Sequence, residues 1–517
     1  LERTLPIPAL IATLAPASFE DARRLAALVP AGANAIEWRL DLASGRLSAR
    51  ALLDLDPRCA VVTWRTVREG GKFDGSAEEY RRSVQSAYDA GATVDVEIES
   101  GLLGDAAFLP DRRRVIGSRH GPFVSEERLR ECLALDVAAV KIVLTDPDTV
   151  AEAIGCVERA SRLSPEKRIA CFATGLRGAV TRFLGPRYGS ALTYGSVGGG
   201  DATGAAQLPL DELLDVYGAA ETTPPEKLFA VYGGDVSHSL SPRIYNALFR
   251  RRGLPWLYVP LTASRRAAAP ESPMAADLVA LDGLARNLHG VSVTNPFKGD
   301  FGAVAEADAE TARIGAANTL VRRKPECLDL SAHNTDVRAV SEALSRLGGA
   351  RVVVVGTGGA ARAALAAAAT LGRKAAVTGR GAEKAAALAA EFRADAIGAV
   401  ELGRSRPDVW INATPLGSDD DDPLPLPAAA LGPETRVVDF VYRRRGETPL
   451  VREARARGSR VADGLELLAR QAAAQAALFG IPDATYEEID AILRDGTGSR
   501  PAAGREPDGR ALSGSRS

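Results

Sequence analysis

Four residues, Glu69, His120, Lys141 and Arg182, supply the reactive side chains of the first half of the chain, and Lys298 with Asp336 supplies those of the second. Lys141 lies in Ala138-Ala-Val-Lys-Ile-Val-Leu144, an apolar run that reads as a buried strand. Burial there disfavours the charged form and is expected to leave a nucleophilic amine. An amine that attacks a ketone, with a nearby histidine to take the adjacent proton, is Schiff-base chemistry. Lys298 closes Val291-Ser-Val-Thr-Asn-Pro-Phe-Lys298, a strand that breaks at Pro296. At a strand exit, and paired with Asp336, it could handle a hydroxyl proton. Read singly, each has a plainer meaning: a satisfied histidine, or solvated surface charges.

Two further patterns lie near the second lysine. Ser237-His-Ser239-Leu-Ser241-Pro242 places two hydroxyls two residues apart on an extended segment, able to hold one carboxylate, although a serine-rich turn reads the same way. Arg351-Val-Val-Val-Val355 opens into Gly356-Thr-Gly-Gly-Ala-Ala361 and an alanine-rich helix. That is the strand, glycine turn and helix of a dinucleotide site, where backbone amides and a helix N-terminus hold a pyrophosphate. The next strand, Ala375–Arg380, ends in Arg380 rather than an acid, which favours the 2′-phosphate of NADP over the ribose diol of NAD.

The elements that must position these residues are countable. Strand-like segments fall at Leu10–Leu14, Ala35–Asp41, Ala60–Arg65, Thr93–Glu99, Val115–His120, Ala138–Leu144, Ile169–Thr174 and Ala191–Ser196. Helix-compatible stretches such as Phe19–Val29, Ala77–Ala90, Glu126–Leu135 and Thr149–Leu163 lie between them, so residues 1–218 read as a (β/α)8 barrel. Its polar residues Glu37, Arg39, Arg65, Glu97 and His120 cluster near strand C-terminal ends, where barrels do chemistry. Residues 219–227, with two prolines among small polar residues, read as a linker. A two-lobed α/β dehydrogenase pattern follows: a substrate lobe over 228–335 with strands at Leu257–Leu261 and Gly290–Val293, then a Rossmann-type nucleotide lobe over 336–465. The helix Leu465–Phe479 is expected to pack back across the substrate lobe, and the C-terminal helices of segment 466–493 are expected to return to it. Ala263–Ala276 reads as a surface excursion and 494–517 as disordered.

Composition bounds the function. A chain of 517 residues exceeds one hydrophobic core, and its 64 basic and 66 acidic residues leave a net charge of −2. No bulk field points to nucleic acid, and no apolar run approaches the roughly 20 residues of a membrane span. Cys59, Cys132, Cys156, Cys171 and Cys327 are scattered and odd in number, so reduced thiols in a cytosol-like compartment are expected, with neither zinc nor a disulfide framework. The absence of an initiator Met at Leu1 reads as a trimmed start that leaves room for a removed, plastid-type targeting segment. Asp419–Asp422 before three spaced prolines reads as a solvated loop, so no metal is expected.

Residues 5–217 resemble the type I 3-dehydroquinate dehydratases in Glu37-Trp-Arg39-Leu-Asp41, Arg65-Thr-Val-Arg-Glu69-Gly-Gly71, Asp95-Val-Glu97, Ser118-Arg-His120, Val140-Lys141-Ile and the Arg182…Thr193-Tyr194 segment. The resemblance implies an imine on Lys141, His120 as base and then acid, Glu69 orienting the imidazole, and no diffusible cofactor. It also implies that Glu37, Arg39, Arg65, Arg182, Thr203 and Gln207 hold the substrate, 3-dehydroquinate. The closing loop here is Thr203-Gly-Ala-Ala-Gln207 where that family has Ser-Ala-Pro-Gly-Gln, and Gly121-Pro122 follows the histidine.

Residues 228–490 resemble shikimate dehydrogenases in His238-Ser-Leu-Ser-Pro242, Val293-Thr294-Asn-Pro-Phe-Lys298, Gly315-Ala-Ala-Asn318-Thr, Asn334-Thr-Asp336, the glycine turn, Ile411-Asn412-Ala-Thr414 and Gly464–Gln471. That resemblance implies substrate contacts at Ser239, Ser241, Thr294, Asn318, Asp336, Tyr442 and Gln471, with Lys298 and Asp336 relaying the alcohol proton. It places NADP on Gly356, Gly358, Gly359, Ala360, Arg380, Asn412, Thr414 and Gly464. That family's Asn-Arg-Thr clamp is here Gly379-Arg380-Gly381. Together the halves imply a bifunctional enzyme in which 3-dehydroshikimate, made by the first site, is reduced to shikimate by the second, as a monomer or homodimer. Quinate as the preferred alcohol, or an inactive metabolite-binding regulator, are the alternatives.

Overall fold

Runs of β-branched and small residues bounded by turn residues form the first eight strands, buried on both faces as parallel strands require. The computed structural model describes residues 5–43, 47–122, 125–163, 169–198, 207–265 and 272–497. The strands are β1 (Ala9–Leu14), β2 (Ala35–Arg39), β3 (Cys59–Thr63), β4 (Thr93–Glu97), β5 (Val115–Gly121), β6 (Ala139–Leu144), β7 (Ile169–Ala173) and β8 (Leu192–Ser196). They pair in parallel in the order β7-β6-β5-β4-β3-β2-β1-β8. Helices between them start on sequence-coded caps; Ser76 and Glu79 form a reciprocal capping box on Ala77–Asp89. The expected barrel needs one refinement. No ladder joins β7 to β8, and a bond from Ala191 N to Ile169 O at 2.6 Å, with the Phe172 and Tyr194 rings 5.7 Å apart, spans that seam instead.

The second sheet comprises β9 (Lys227–Gly233), β10 (Trp256–Thr262), β11 (Leu288–Val293), β12 (Ala305–Ala307), β13 (Thr319–Lys324) and β14 (Asp329–His333). Its order is β10-β9-β11-β13-β14-β12, with parallel β9, β10 and β11 and antiparallel β13 beside β11 and β14. Phe229, Tyr232, Tyr245, Phe249 and Tyr258 fill its core. The third sheet comprises β15 (Arg351–Val355), β16 (Lys374–Thr378), β17 (Asp395–Ala396), β18 (Val409–Asn412), β19 (Arg436–Asp439) and β20 (Arg460–Ala462). Its order, β17-β16-β15-β18-β19-β20, is parallel throughout and reverses at β15, the switch point of a dinucleotide fold. The helix Gly359–Thr370 buries mostly alanines, which lets it lie close to the sheet.

The structure departs from the sequence reading in four places. Cys156 and Cys171 form a disulfide, with Cα atoms 5.9 Å apart, while Cys59 and Cys132 are buried thiols and Cys327 is exposed. The helix Val150–Leu163 packs on β7, and that packing creates bridging geometry invisible in linear spacing. The expected excursion at Ala263–Ala276 becomes helical at Pro273, where proline suits the first turn and Met274 is fully buried; residues 266–271 lie outside the described residues. The helix Tyr486–Thr497 carries order past Arg494, and residues 498–517 lie outside the described residues.

The fourth concerns domains. The barrel and the second sheet belong to one compact unit, through Val337 and with Gln475–Pro482; Arg338–Ala474 forms the core of the other. Residues 219–227 are therefore no free spacer. Arg187 binds Glu221 at 2.8 Å and the Thr223 carbonyl at 3.1 Å, and Glu226 N donates to Pro255 O at 2.8 Å. Among the described residues, no helix is long and apolar enough to cross a membrane.

Candidate active sites

Side chains alternate along a strand, so register decides which barrel residues share the interior. Ser118 on β5 lies opposite Lys141 on β6, and His120 is two residues further along the same face of β5. Lys141 is 4% exposed. Its surroundings are not the apolar shell expected: Nζ lies 2.7 Å from Asp95 Oδ2, 3.8 Å from Glu37 Oε1 and 4.6 Å from the centre of the Tyr194 ring. Glu69 Oε2 accepts from the His120 backbone amide at 3.0 Å and lies 3.1 Å from His120 Nδ1, which fixes the ring. Burial pushes the Glu69 carboxyl up to about 7, against the pull of Arg65. Burial, reinforced by Arg65 and Lys141, holds His120 well below its usual range, so its imidazole is neutral and free to accept a proton.

Arg65 sits at the centre of the acidic cluster. It contacts Asp95 at 2.8 Å, Glu69 at 3.2 Å, Glu97 at 3.3 Å and Ser118 Oγ at 2.9 Å. With every contact made to protein, Arg65 organises Glu69 and Asp95 as well as lining the site. Arg182 differs: it is buried with one side-chain hydrogen bond among the described residues, to the Tyr194 carbonyl at 3.2 Å, and lies 4.6 Å from the Phe172 ring centre. Burial lowers it to about 10. A guanidinium so lightly neutralised suits an anionic ligand. Glu37 accepts from Thr13 and Thr63 hydroxyls at 3.0 and 2.8 Å, and Gln207 donates to Thr13 at 3.1 Å. Arg39 is held by Asp41 through two 2.9 Å bonds. Thr203 lies outside the described residues. Glu69 Oε1 and the Tyr194 hydroxyl are buried without a hydrogen-bond partner among the described residues. Asp95, which seats Lys141, was given no role by sequence reasoning. Its signal was an acid two residues before Glu97 in a strand whose every position is buried.

In the second sheet, Lys298 follows β11, Asn318 precedes β13 and Asp336 follows β14, and these ends converge. Lys298 Nζ lies 2.5 Å from Asp336 Oδ2, and Asn318 Nδ2 donates to Asp336 Oδ1 at 2.9 Å. Asn318 Oδ1 accepts from Thr335 N at 2.8 Å, which fixes the amide. Ser239 Oγ accepts from Ser241 N at 3.2 Å, where Ser241 opens a helix and is buried. Thr294 lies so close to β9 that a Cβ at Gly233 would fall 2.4 Å from its methyl. Gln475, which sequence reasoning passed over, is fully buried: it accepts from Tyr245 and Ser292 hydroxyls at 2.7 and 2.6 Å and donates to Thr319 at 2.7 Å. Gln471, one helical turn earlier, and Tyr442 are half-buried and belong to the other unit.

That unit holds the glycine turn. Gly356 has φ +128°, and a Cβ there would lie 2.6 Å from the Ala413 carbonyl oxygen, so glycine is required. Gly358 caps the helix Gly359–Thr370 without a side chain and has open space where its Cβ would be; Ala360 lies in the first turn. The first amides thus remain available to a phosphate, which fits a dinucleotide. Arg380 is exposed and makes no hydrogen bond or ion pair among the described residues. Asn412 is fully buried and saturated by Leu416 O, Asp439 and Thr414, so it shapes its loop from within. Thr414 is half-buried on that loop. A Cβ on Gly464 would lie 2.2 Å from the Val441 carbonyl oxygen, which explains glycine there by close packing.

Comparison with known proteins divides the chain between the barrel and the second sheet. Residues 11–224 match the family model of type I 3-dehydroquinase, and residues 231–320 match that of the shikimate dehydrogenase substrate binding domain. The bifunctional 3-dehydroquinate dehydratase/shikimate dehydrogenase of Arabidopsis thaliana, described as chloroplastic, is 28% identical over 87% of this chain and 78% of its own. The NADP(+) shikimate dehydrogenase of Methanothrix thermoacetophila is 35% identical over 53% of this chain and 98% of its own. The shikimate 5-dehydrogenase of Thermus thermophilus, solved in complex with NADP(H) and shikimate, is 32% identical over 52% of this chain and 99% of that one, with a TM-score of 0.46. The chain belongs to the shikimate dehydrogenase family through its second half and, with a type I 3-dehydroquinase as its first, is a bifunctional protein of the two.

Proposed function

We propose that Lys141 forms an imine with the ketone of 3-dehydroquinate, and that Lys298 with Asp336 handles the proton when the resulting 3-dehydroshikimate is reduced to shikimate. The observation that supports the first step is His120 on the strand beside Lys141 and on the same inward face, where burial keeps its imidazole neutral. The amine adds to the ketone and water leaves; His120 takes the proton from the neighbouring carbon, then returns it to the departing hydroxyl. Hydrolysis of the imine frees the lysine, so the net change is loss of one water. Asp95, held anionic by Arg65 and Lys141, keeps the amine in place and offsets positive charge on it. Arg182 is the carboxylate holder, because it alone of Arg39, Arg65, Lys141 and Arg182 has no bound acid among the described residues.

In the second site, Lys298 protonates the carbonyl oxygen while Asp336, steadied by Asn318, keeps the ammonium aimed. Ser239 and Ser241 bind the carboxylate. When bound, NADP(H) supplies the hydride; Gly356, Gly358, Gly359 and Ala360 would seat its phosphates, and Arg380 its 2′-phosphate. Dehydroquinate alone should give the ultraviolet absorbance of an enone, and added NADPH should then be consumed as that absorbance falls. No enone, or NADPH left intact, would refute the reading.

Two expected outcomes test individual residues. Protonated Glu69 loses the negative charge that stabilises His120 as it takes a proton, so dehydration should fall as pH drops through about 7, and Glu69→Gln should flatten that limb of the rate profile. Because His120 is held low, that limb reports Glu69. Arg380→Ala should raise the KM for NADPH by about tenfold or more, the worth of one charge-assisted hydrogen bond, and leave NADH kinetics unchanged.

A further inference from the structure

The loop that leaves the Lys141 strand is held from outside the barrel. Thr145–Thr149 joins β6 to the helix Val150–Leu163. Within the barrel, Thr145 N donates at 2.9 Å to the carbonyl of Gly121, the neighbour of His120, and Asp146 N donates to Thr174 Oγ1 at 3.1 Å. Asp146 has φ +39°, and a Cβ on Gly175 would lie 2.5 Å from its Oδ1. A loop strained and crowded in this way stays put only while its surroundings hold it.

The second sheet's lobe supplies that hold. Ser264 Oγ accepts from Val150 N, the first amide of the helix, at 3.0 Å. Arg265 N donates to Asp148 O at 2.9 Å, and Arg177 Nε donates to Ala263 O at 2.9 Å. Ser264 is itself clamped: its hydroxyl donates to Asp277 Oδ1 and its amide to Asp277 Oδ2 at 2.9 Å. Asp277 is 1% exposed, and its Oδ2 also accepts from the Tyr232 hydroxyl at 3.0 Å. The Tyr232 ring lies 5.0 Å from Phe297, the residue before Lys298. The Arg265 ion pairs with Asp146 and Asp148 are half-exposed and screened by solvent, so the Ser264–Asp277 set, with Asp277 buried, dominates the seam.

We propose that Ser264, clamped by Asp277, is a positioning residue of the dehydratase site, so that the dehydrogenase's substrate lobe sets the loop that holds His120 beside Lys141. The inference rests on the dehydratase reading above. Small displacements of reacting groups cost rate more than affinity.

Full-length Ser264→Ala should lose about tenfold in dehydratase kcat with KM for dehydroquinate nearly unchanged. Ser264→Thr, which keeps the hydroxyl, should recover most of it. Dehydrogenase turnover on the same preparation should hold within about twofold. Arg265→Glu, a surface change that sets like charges against Asp146 and Asp148, should lower dehydratase kcat in the same direction and decides the matter if Ser264→Ala fails to fold. A wild-type dehydratase kcat in the folded serine variant overturns the proposal. So does an equal fractional loss of both activities with a lowered Tm, and so does an unchanged kcat in Arg265→Glu. If the unaltered protein dehydrates nothing, the dehydratase reading has failed instead.

Discussion

Lys141→Ala should abolish dehydration, by on the order of 10⁴-fold or more, while reduction of 3-dehydroshikimate by NADPH proceeds at the unaltered rate. The amine is the nucleophile, and no other lysine among the described residues shares its barrel face. Losing one partner of a buried ion pair ordinarily costs about 3–5 kcal/mol. Here the cost should be smaller, because Asp95 keeps Arg65 at 2.8 Å and the Ser118 hydroxyl at 2.5 Å. Lys141→Met, closer in volume, should show the same kinetics with less loss of Tm. Separate assays of enone formation and NADPH oxidation check both statements on one preparation. Equal damage to both reactions would contradict the assignment.

Lys298→Ala should do the reverse. Removing the proton donor should lower kcat for reduction by about 10²–10⁴-fold and move the KM for 3-dehydroshikimate little, since the serine pair and Asn318 remain. Asp336→Asn should follow it, because the amide can still bond Asn318 but no longer neutralises the ammonium at 2.5 Å. Dehydration should be untouched in both variants. A KM effect without a kcat effect would make Lys298 a binding residue.

The strands were legible because parallel strands buried on both faces write themselves as short apolar runs; β15 matches its sequence range residue for residue. The lysine–histidine pair was legible for the same reason, once each sat on its own strand. Asp95 was not. It lies on β4, two strands from β6, and reaches Lys141 only across the curved interior, a contact that depends on closure and register together. Gln475 escaped for a related reason: it shares a helix face with Gln471 one turn away, and only packing tells which one is enclosed. The disulfide between Cys156 and Cys171, and Ser264 in an alanine-rich stretch, depend on how helices dock, which leaves no local trace.

Reductive trapping tests the central claim most directly. Incubation of the full-length protein with dehydroquinate and borohydride, followed by peptide mass mapping, should find substrate covalently retained on the peptide that contains Lys141 and nowhere else. Retention on another residue, or none in a protein that still dehydrates its substrate, would contradict the account.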